Sequence, residues 1–319
     1  MMKRILFLAV LSLMAAGAWG QATYDGPRWA VVNSSSCFLR LKPDYESGCE
    51  TQCLMGTVLR VKDAERYWRQ VDAPDYKDVW TTELNVAFMD EAGKDAWIAA
   101  PKYICVADYT HLYAEPSTTA QPLCDFTMAD LVRKGAQRRR GWVQVFLPSG
   151  REAWARAYDV MDFDEWTRGR KATEEVLLQT ALARLGTPYM WGGASVKHFD
   201  CSGFTQFVYR QAGIVLPRNA REQIYTGEAV PYDFAKMRPG DLLFFGTLNK
   251  DGSFRVVSHV AMYFGDKKII HSSQVVRISS MTPDGEDFYD REPIAVRRIL
   301  GHVDDGSGIR SVATRPWYY

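Results

Sequence analysis

The chain carries almost no excess of charge. Its 39 lysine and arginine residues are balanced by 38 aspartate and glutamate residues, so the formal net charge is +1 over 319 residues. This balance gives no reason to expect a nucleic-acid partner, which usually requires a basic surface. One cationic cluster, Arg138–Arg140 with Arg133 and Lys134 before it, is open to two interpretations. It is either an exposed hairpin tip or a docking patch for an acidic polymer.

Long apolar runs are also scarce. The one candidate is Ile5–Ala16, which follows the basic segment Met1–Arg4 and precedes the small residues of Ala18-Trp19-Gly20. This pattern predicts a signal peptide over residues 1–20, because the run is shorter than the span of about 20 apolar residues that crosses a membrane. No stable membrane span is therefore expected, and no cysteine lies near the cleavage position to take a lipid. The mature protein is expected to be periplasmic or secreted.

Cysteine is limited to six residues. Disulfides are permitted in an exported protein, and the candidates are Cys105 with Cys124, and Cys37 with either Cys49 or Cys53. The sequence does not choose among these pairings. No second pair of ligands follows Cys49 and Cys53 at the spacing of a zinc site, so no metal is predicted and no cofactor is expected.

Residues between 23 and about 166 repeat a short pattern. Leu39–Pro43 corresponds to Leu112–Pro116, Trp68 to Trp142, and Trp80 to Trp154, at a constant offset of 73 or 74 residues. Short β-like runs separated by turn residues fill each copy, and two copies are too few for a solenoid. The repeat predicts two small β-barrels in tandem, over residues 21–98 and 99–166.

The segment around Cys201 combines a turn with the start of a helix. Glycines and a proline crowd residues 186–193, and Phe204, Phe207 and Val208 then fall on one helical face. Cys201 is therefore predicted to lie at a helix N-terminus, where unpaired N–H groups and the helix dipole favour an anion and lower the pKa of a thiol. The alternative is that Cys201 is a small buried hydrophobic residue.

Two of the five histidines follow on consecutive predicted strands. His259 lies in the run 256–264 and His271 in the run 268–272, with Gly265-Asp266 as the turn between them. A cysteine, a histidine base and a second polar group that orients the base form the thiol version of a nucleophilic triad. The three residues together predict a catalytic constellation.

Six motifs in this order and spacing resemble the NlpC/P60 cysteine peptidases. They are Tyr189–Gly193, Asp200–Gly203, Leu216–Arg218, Arg238–Phe245, Ser258–Val260 and Ile270–Ser272. The resemblance covers about residues 173–299, and it implies a papain-like α+β catalytic domain that cleaves bacterial cell-wall peptides. The two predicted barrels are similar to the bacterial SH3-like domains that often precede this kind of domain.

The resemblance implies a role for each site residue. Cys201 would attack the scissile amide as a thiolate. His259 would hold that thiolate as an ion pair and then protonate the leaving amine, and neutral His271 would orient the ring of His259. The backbone N–H of Cys201 and the hydroxyl of Tyr189 would stabilise the oxyanion. Asp200 and Ser202 would either cap the helix or hold the free amine of an N-terminal L-Ala.

The first barrel is implied to contact the substrate as well. Glu50, with Trp80 or Tyr76, would receive the free amino end, and Arg218 would reach a substrate carboxylate or pair with Asp241. Ala220 departs from the family, whose members often carry a hydroxyl residue near this position. The finer specificity is therefore open.

The expected architecture is α+β: two SH3-like barrels, a linker at 167–171 within a peptidase domain over 167–303, and a flexible tail over 304–319. The expected activity is hydrolysis of the bond between γ-D-Glu and the diamino acid in peptidoglycan-derived peptides, by a monomer, with release of L-Ala-γ-D-Glu. Three alternatives stay open. They are an amidase with another scissile bond, transfer of the acyl group to an amine, and a peptidoglycan-binding protein without activity.

Overall fold

The computed structural model describes residues 24–314, and the predicted signal peptide over 1–20 lies outside the described residues. The first part of the chain forms a seven-stranded antiparallel sheet, called here the first sheet. Its strands are β1 (Trp29–Val32), β2 (Cys37–Arg40), β3 (Cys49–Cys53), β4 (Val58–Glu65), β5 (Trp68–Asp72), β6 (Val79–Thr82) and β7 (Val86–Met89).

A second seven-stranded antiparallel sheet repeats the first. Its strands are β8 (Lys102–Cys105), β9 (Tyr109–Tyr113), β10 (Pro122–Thr127), β11 (Leu131–Arg139), β12 (Trp142–Phe146), β13 (Glu152–Arg156) and β14 (Val160–Asp162). The strand orders β3-β2-β6-β5-β4-β1-β7 and β10-β9-β13-β12-β11-β8-β14 are the same once seven is added to each number of the first. The sequence repeat is thus matched by a repeat of the topology.

Two helices, which the sequence analysis did not predict, accompany these sheets. Helix α1 (Glu91–Ala99) begins at Asp90, whose side chain accepts a hydrogen bond from the N–H of Gly93, and it buries Trp97. Helix α2 (Phe163–Gly169) buries Trp166 and occupies part of the segment predicted to be a linker. That prediction was wrong for residues 167–169, because one tryptophan anchors a short helix among otherwise polar neighbours.

The third sheet and its helices follow. The helices are α3 (Glu174–Leu182), α4 (Cys201–Gln211) and α5 (Ala220–Gln223), and short strand pairs are formed by β15 (Ala194–Ser195) with β16 (His198–Phe199) and by β17 (Ile214–Val215) with β24 (Arg310–Ser311). The six-stranded third sheet comprises β18 (Glu228–Val230), β19 (Leu242–Leu248), β20 (Phe254–Gly265), β21 (Lys268–Ser273), β22 (Val275–Ser280) and β23 (Ala295–Arg298), in the order β18-β23-β19-β20-β21-β22. The α+β class is confirmed.

Helix α4 packs on one face of the third sheet. Phe204, Phe207 and Val208, which the periodicity places on one side of the helix, share a core with Val260 and Met262 of β20. Alternate residues of β20 join a second core on the opposite face of the sheet. The helix therefore lies directly on the strand that carries His259.

The segment 304–314 is not the flexible tail that the sequence predicted. Ile309 is buried, and the strand it leads into pairs with β17 at Ile214↔Ser311 and Val215↔Arg310. Aspartates and glycines at 304–308 form a turn that brings the chain back to β17, so turn chemistry was misread as flexibility.

All six cysteines are free thiols. None of the disulfides that the sequence permits is formed, although the register of β2 and β3 places Cys37 directly opposite Cys53. Farther along, Arg140 and Gly141 form the tip of the hairpin between β11 and β12, which agrees with the simpler interpretation of the cationic cluster. In the described range, no helix is both long enough and apolar enough to cross a membrane.

Candidate active site

Helix α4 begins at Cys201 and is capped by the preceding residue, Asp200. The carboxylate accepts hydrogen bonds from the N–H groups of Gly203, at 2.7 Å, and Gly192, at 2.9 Å. Glycine is required at position 203, because a Cβ there would lie 2.0 Å from the carbonyl oxygen of Gly193. This close approach presses the glycine-rich turn against the first turn of the helix and fixes where Cys201 stands.

The thiol of Cys201 reaches the neighbouring strand. Its pKa is lowered by the N–H groups of Val260, the residue after His259, and of Ser202, but burial and then the charge of Asp200 outweigh them and raise the pKa to about 11. The sequence-based prediction of a lowered pKa was wrong in direction. The reason is that the side chain lies among protein atoms, where desolvation disfavours the thiolate more than the helix start favours it.

The hydrogen-bond ladder between β20 and β21 ends close to this point. The last register pair toward the site is Met262↔Ile270, so Val260 lies beyond the end of the pairing with β21. Its N–H is therefore not used in the pairing of β20 with β21, and it interacts with the thiol of Cys201.

His259 and His271 meet across these two strands. The distance from Nε2 of His259 to Nδ1 of His271 is 2.7 Å, and both side chains are buried. Burial, followed by the neighbouring His271, Arg291 and Arg277, lowers the pKa of His259 to about 3, while burial and Arg277 lower the pKa of His271 to about 4. Both rings are neutral at neutral pH in the free protein, as predicted for His271. The predicted ion pair between the Cys201 thiolate and His259 was therefore wrong for the free protein, because burial disfavours the charged form of both groups.

Arg218 lies inside the protein and does not face the cleft. All five of its N–H groups point at acceptors: Nε at Thr51, Nη1 at Asp200 and Ser202, and Nη2 at Asp200 and the carbonyl of Gly193. The guanidinium is only 2% exposed, so the prediction that it reaches a substrate carboxylate was wrong. The predicted alternative partner, Asp241, pairs instead with Arg298.

Asp200 and Ser202 belong to the same network. The carboxylate of Asp200 is bonded by Arg218 at both oxygens, and the hydroxyl of Ser202 lies 3.2 Å from one of them. The acceptor capacity of Asp200 is used by the protein, which supports its capping role over a bond to a substrate amine.

A cleft opens beside Cys201. The residues that line it come from the first sheet, the glycine-rich turn, the start of α5 and strand β20: Glu50, Tyr76, Tyr189, Trp191, Asp200, Cys201, Ser202, Asn219, Ala220, Arg221, Val257 and Ser258. Tyr189 faces the thiol, and burial together with Cys201 raises the pKa of its phenol to about 12, so its hydroxyl is a proton donor at neutral pH.

The first sheet contributes Glu50 and Tyr76 to the cleft. The hydroxyl of Tyr76 donates to Oδ1 of Asn219 at 2.6 Å, which ties this loop to α5. Trp80 lies outside the lining of the cleft: its strand partners are Arg40 and Gln70, at the position that Trp154 holds in the second sheet. Of the two predicted aromatics, the structure therefore brings Tyr76 and not Trp80 to the site.

Strand β3 docks the first sheet onto the catalytic part of the chain. The side chain of Gln52 accepts a hydrogen bond from the N–H of Ala194 at 3.0 Å and lies 3.2 Å from Nδ1 of His198. Thr51 accepts from Arg218 at 2.7 Å. Glu50 is thus held over the cleft by bonds from the two residues that follow it.

Sequence reasoning missed several residues at the cleft. Trp191 is 67% exposed beside Cys201, and Arg221 and Ser258 also line the opening. Trp191 stands within the glycine-rich motif, and an exposed tryptophan there is a signal that could have been used. Ser258 also stands within one of the six motifs, whereas Arg221 carries no such signal, because its approach to Cys201 depends on how α5 packs.

Comparison with known proteins gives a consistent result. The family described as the NlpC/P60 family matches residues 186–297. The chain is 38% identical over 289 residues to a gamma-D-glutamyl-L-lysine dipeptidyl-peptidase of Bacillus cereus, an alignment that covers 88% of this chain and 84% of the relative. It is 39% identical over 131 residues to the protein of the same description from Bacillus subtilis, covering 41% of this chain and 43% of that protein.

A solved structure resembles the fold as a whole. The crystal structure of an NlpC/P60 family protein from Bacillus cereus superposes with a TM-score of 0.70 at 25% identity. The superposition covers 85% of this chain and 99% of that one, so it includes the two N-terminal sheets as well as the part that carries Cys201.

Proposed function

Because the chain belongs to the NlpC/P60 family and is a cysteine peptidase of cell-wall peptides, we propose that it hydrolyses the bond between γ-D-Glu and the diamino acid of muropeptides. The product would be the dipeptide L-Ala-γ-D-Glu, released from peptides whose N-terminal L-Ala has a free amine. The observation that carries the proposal is the position of Glu50, a carboxylate from the first sheet, in the same cleft as Cys201.

Glu50 is suited to receive an ammonium group. In the described part of the chain its carboxylate has no hydrogen bond or ion pair, whereas that of Asp200 is already paired with Arg218. A carboxylate that faces a cleft and lacks a partner favours a cation by a charge-assisted hydrogen bond. The neighbouring phenol of Tyr76 is a second polar group at this end of the cleft.

The distance from such an amine site to the nucleophile would set the position of the cut. A substrate whose amino end is fixed at Glu50 can place only one particular bond at Cys201. The wall formed by the first sheet would leave no room for further residues before the L-Ala. This arrangement supports release of a unit of fixed length rather than cleavage at internal positions.

The proposed chemistry begins with a neutral thiol and a neutral imidazole. Sγ of Cys201 attacks the carbonyl carbon of the γ-D-Glu amide while its proton passes to His259. The oxyanion that forms would be stabilised by the backbone N–H of Cys201 and the hydroxyl of Tyr189. The C–N bond then breaks, and His259 gives its proton to the leaving amine.

The second half of the reaction releases the dipeptide. Water attacks the thioester with His259 as the base, and the thiol of Cys201 leaves and regains its proton. His271 would keep the ring of His259 in place throughout, through the 2.7 Å contact between the two rings.

The experiment is a digestion of synthetic peptides. The protein without residues 1–20 is incubated with L-Ala-γ-D-Glu-L-Lys, with its N-acetylated form and with the same peptide linked to a muramic acid sugar. The products are followed by mass spectrometry, with Cys201→Ala as the matched control. L-Ala-γ-D-Glu from the free peptide alone is the expected product. Cleavage of the acetylated peptide at an equal rate would refute the amine requirement, and cleavage only of a sugar-linked peptide would establish an amidase.

We also propose that residues 1–20 direct export and that the mature enzyme acts as a monomer in the periplasm or outside the cell. N-terminal sequencing of the protein recovered from the periplasm or the medium, beginning near Gln21, is the expected result. Recovery of the full-length chain from the cytoplasm would contradict the proposal of export.

A further inference from the structure

A line of polar side chains continues behind the two histidines. Nε2 of His271 lies 3.0 Å from the hydroxyl oxygen of Ser279, and that hydroxyl donates to Oδ2 of Asp287 at 2.8 Å. His271 and Ser279 are buried, whereas Asp287 lies on the loop between β22 and β23 with its side chain 39% exposed. Nε of Arg277 is 3.4 Å from the same carboxylate oxygen.

The chemistry of these groups fixes the direction of every hydrogen bond. A carboxylate paired with a guanidinium only accepts, so the hydroxyl of Ser279 must donate to Asp287. The oxygen of Ser279 is then free to accept from the Nε2–H of His271. A neutral His271 protonated on Nε2 has an unprotonated Nδ1, which must accept from the Nε2–H of His259.

We propose that Ser279 and Asp287 are positioning residues of the catalytic pair, which hold His259 in the tautomer that is protonated on Nε2 and bare on Nδ1. The bare nitrogen is the one left to take the proton of Cys201. This inference rests on the proposed roles of Cys201 and His259 in catalysis. Neither Ser279 nor Asp287 touches the substrate, since both act through His271.

The same loop also holds the rings by packing. The ring of Tyr289 lies 5.1 Å from that of His271 in an edge-on arrangement and 5.7 Å from that of His259. Tyr289 packs in turn on Phe245 with ring centres 4.9 Å apart. The loop therefore supplies a carboxylate at the far end of the polar line and an aromatic cover over both imidazoles.

The charged groups around His259 come from several elements. Arg277 stands on β22, Arg291 donates from the loop to the hydroxyl of Ser258 at 3.0 Å, and Asp200 caps α4. Both arginines disfavour a charged His259, while Asp200 favours it. Asp287 is the anion that balances Arg277 on the side away from the cleft.

Asp287→Asn is the decisive variant. Asp287 has φ of 52°, a left-handed conformation that asparagine also tolerates, so the backbone should not change. An amide can donate to Ser279 and reverse the hydroxyl, which would then donate to Nε2 of His271. Each hydrogen bond from Ser279 through His271 to His259 would then reverse its donor and acceptor. The proton of His259 would lie on Nδ1, facing Cys201.

The first measurement needs no substrate. ¹⁵N chemical shifts of the ring nitrogens of His259 in the full mature chain, assigned with His259→Gln, report which nitrogen carries the proton. The wild type should show the proton on Nε2, and Asp287→Asn should show a mixture or the reverse. A wild-type His259 protonated on Nδ1 would overturn the inference even if the peptidase assignment is correct, and this result does not depend on knowing the substrate.

The second measurement is kinetic. Asp287→Asn and Ser279→Ala should lower kcat by about 10- to 100-fold, the usual cost of losing the partner that orients a functional histidine, with little change in KM. Glu286→Gln, an equal loss of charge at the next exposed residue, should leave kcat unchanged. Unchanged kcat in Asp287→Asn, or an equal loss of kcat in Glu286→Gln, would mean that Ser279 and Asp287 only hold the loop in place and do not position His259.

Stability controls separate folding from positioning. Thermal midpoints of the three variants should match the wild type more closely than their kcat values do. Ser279→Ala leaves a buried donor of His271 unpaired and could fail to fold for that reason. Asp287→Asn then still tests the proposal, since the side chain of Asp287 is partly exposed and its replacement should not prevent folding.

Discussion

Arg218 and Asp200 form a buried two-point ion pair. Nη2 lies 2.6 Å from Oδ2 and Nη1 lies 3.0 Å from Oδ1. The pair joins the cap of the nucleophile helix to Thr51 of the first sheet, so one guanidinium links the position of Cys201 to the docking of the N-terminal part of the chain.

Replacing Arg218 by methionine should therefore destabilise the protein severely. Loss of one partner from a buried pair leaves an unpaired charge and costs about 3–5 kcal/mol. The free energy of unfolding, measured by urea denaturation, should fall by this amount. Lys236→Ala, which removes an exposed pair with Asp233, should cost under about 1 kcal/mol, and equal losses in the two variants would contradict this account.

Glu50→Gln should impair recognition of the free amine. A hydrogen bond to a charged group contributes about 1.5–3 kcal/mol, so kcat/KM for the free tripeptide should fall about 10- to 100-fold. The variant and the wild type should be equally poor with the acetylated peptide. Glu65→Gln, the same change on an exposed site of β4, is the control, and an equal loss there would argue against a specific role for Glu50.

Cys201→Ala should abolish hydrolysis, and His259→Ala should lower kcat by about 10²- to 10⁴-fold, the usual contribution of a general base. His111→Ala, on strand β9 of the second sheet, should leave activity unchanged. Retention of wild-type activity in Cys201→Ala, checked by mass spectrometry of the products, would remove the nucleophile from the proposal.

The two buried histidines should make stability depend on pH. Their pKa values are lowered to about 3 and about 4 in the folded state, whereas an unfolded histidine titrates near 6.5. Below that value the unfolded state binds more protons, so the free energy of unfolding should fall as the pH drops from about 6.5 toward 4. Above pH 6.5 this contribution is constant.

The check is a series of urea denaturations between pH 4 and 8. His259→Gln should lower the slope below pH 6.5 by about 1.4 kcal/mol per pH unit, the share of one proton, and leave the share of His271. His111→Gln should keep the wild-type slope. A wild-type profile that is already flat would mean that the rings are not held neutral.

The local pattern of apolar and turn residues was sufficient to predict much of the third sheet and helix α4. The run of apolar residues at helical spacing predicted α4, with Cys201 at its N-terminus, and the run 256–264 predicted the strand β20 that carries His259. The turn at Gly265 fixed the hairpin that brings His271 alongside. These features depend on residues close together in the sequence.

Contacts between distant segments were beyond such reasoning. The choice of Tyr76 over Trp80 depends on which loop of the first sheet meets α5, and the pairing of Arg218 with Asp200 rather than Asp241 depends on how two buried turns pack. The raised pKa of Cys201 has the same origin, because a motif shows the helix start but not the protein atoms that surround it.

Strand β3 supplies Glu50 to the cleft, Thr51 to Arg218 and Gln52 to the turn before the nucleophile. The proposed recognition of the free amino end of the substrate and the rigid placement of Cys201 consequently depend on one strand. A truncated protein that starts after the first sheet would not be a simpler version of the same enzyme. It would lose the proposed amine site at Glu50, which fixes the length of the product. It would also lose the hydrogen bonds of Thr51 and Gln52 that hold the segment around Cys201 in place.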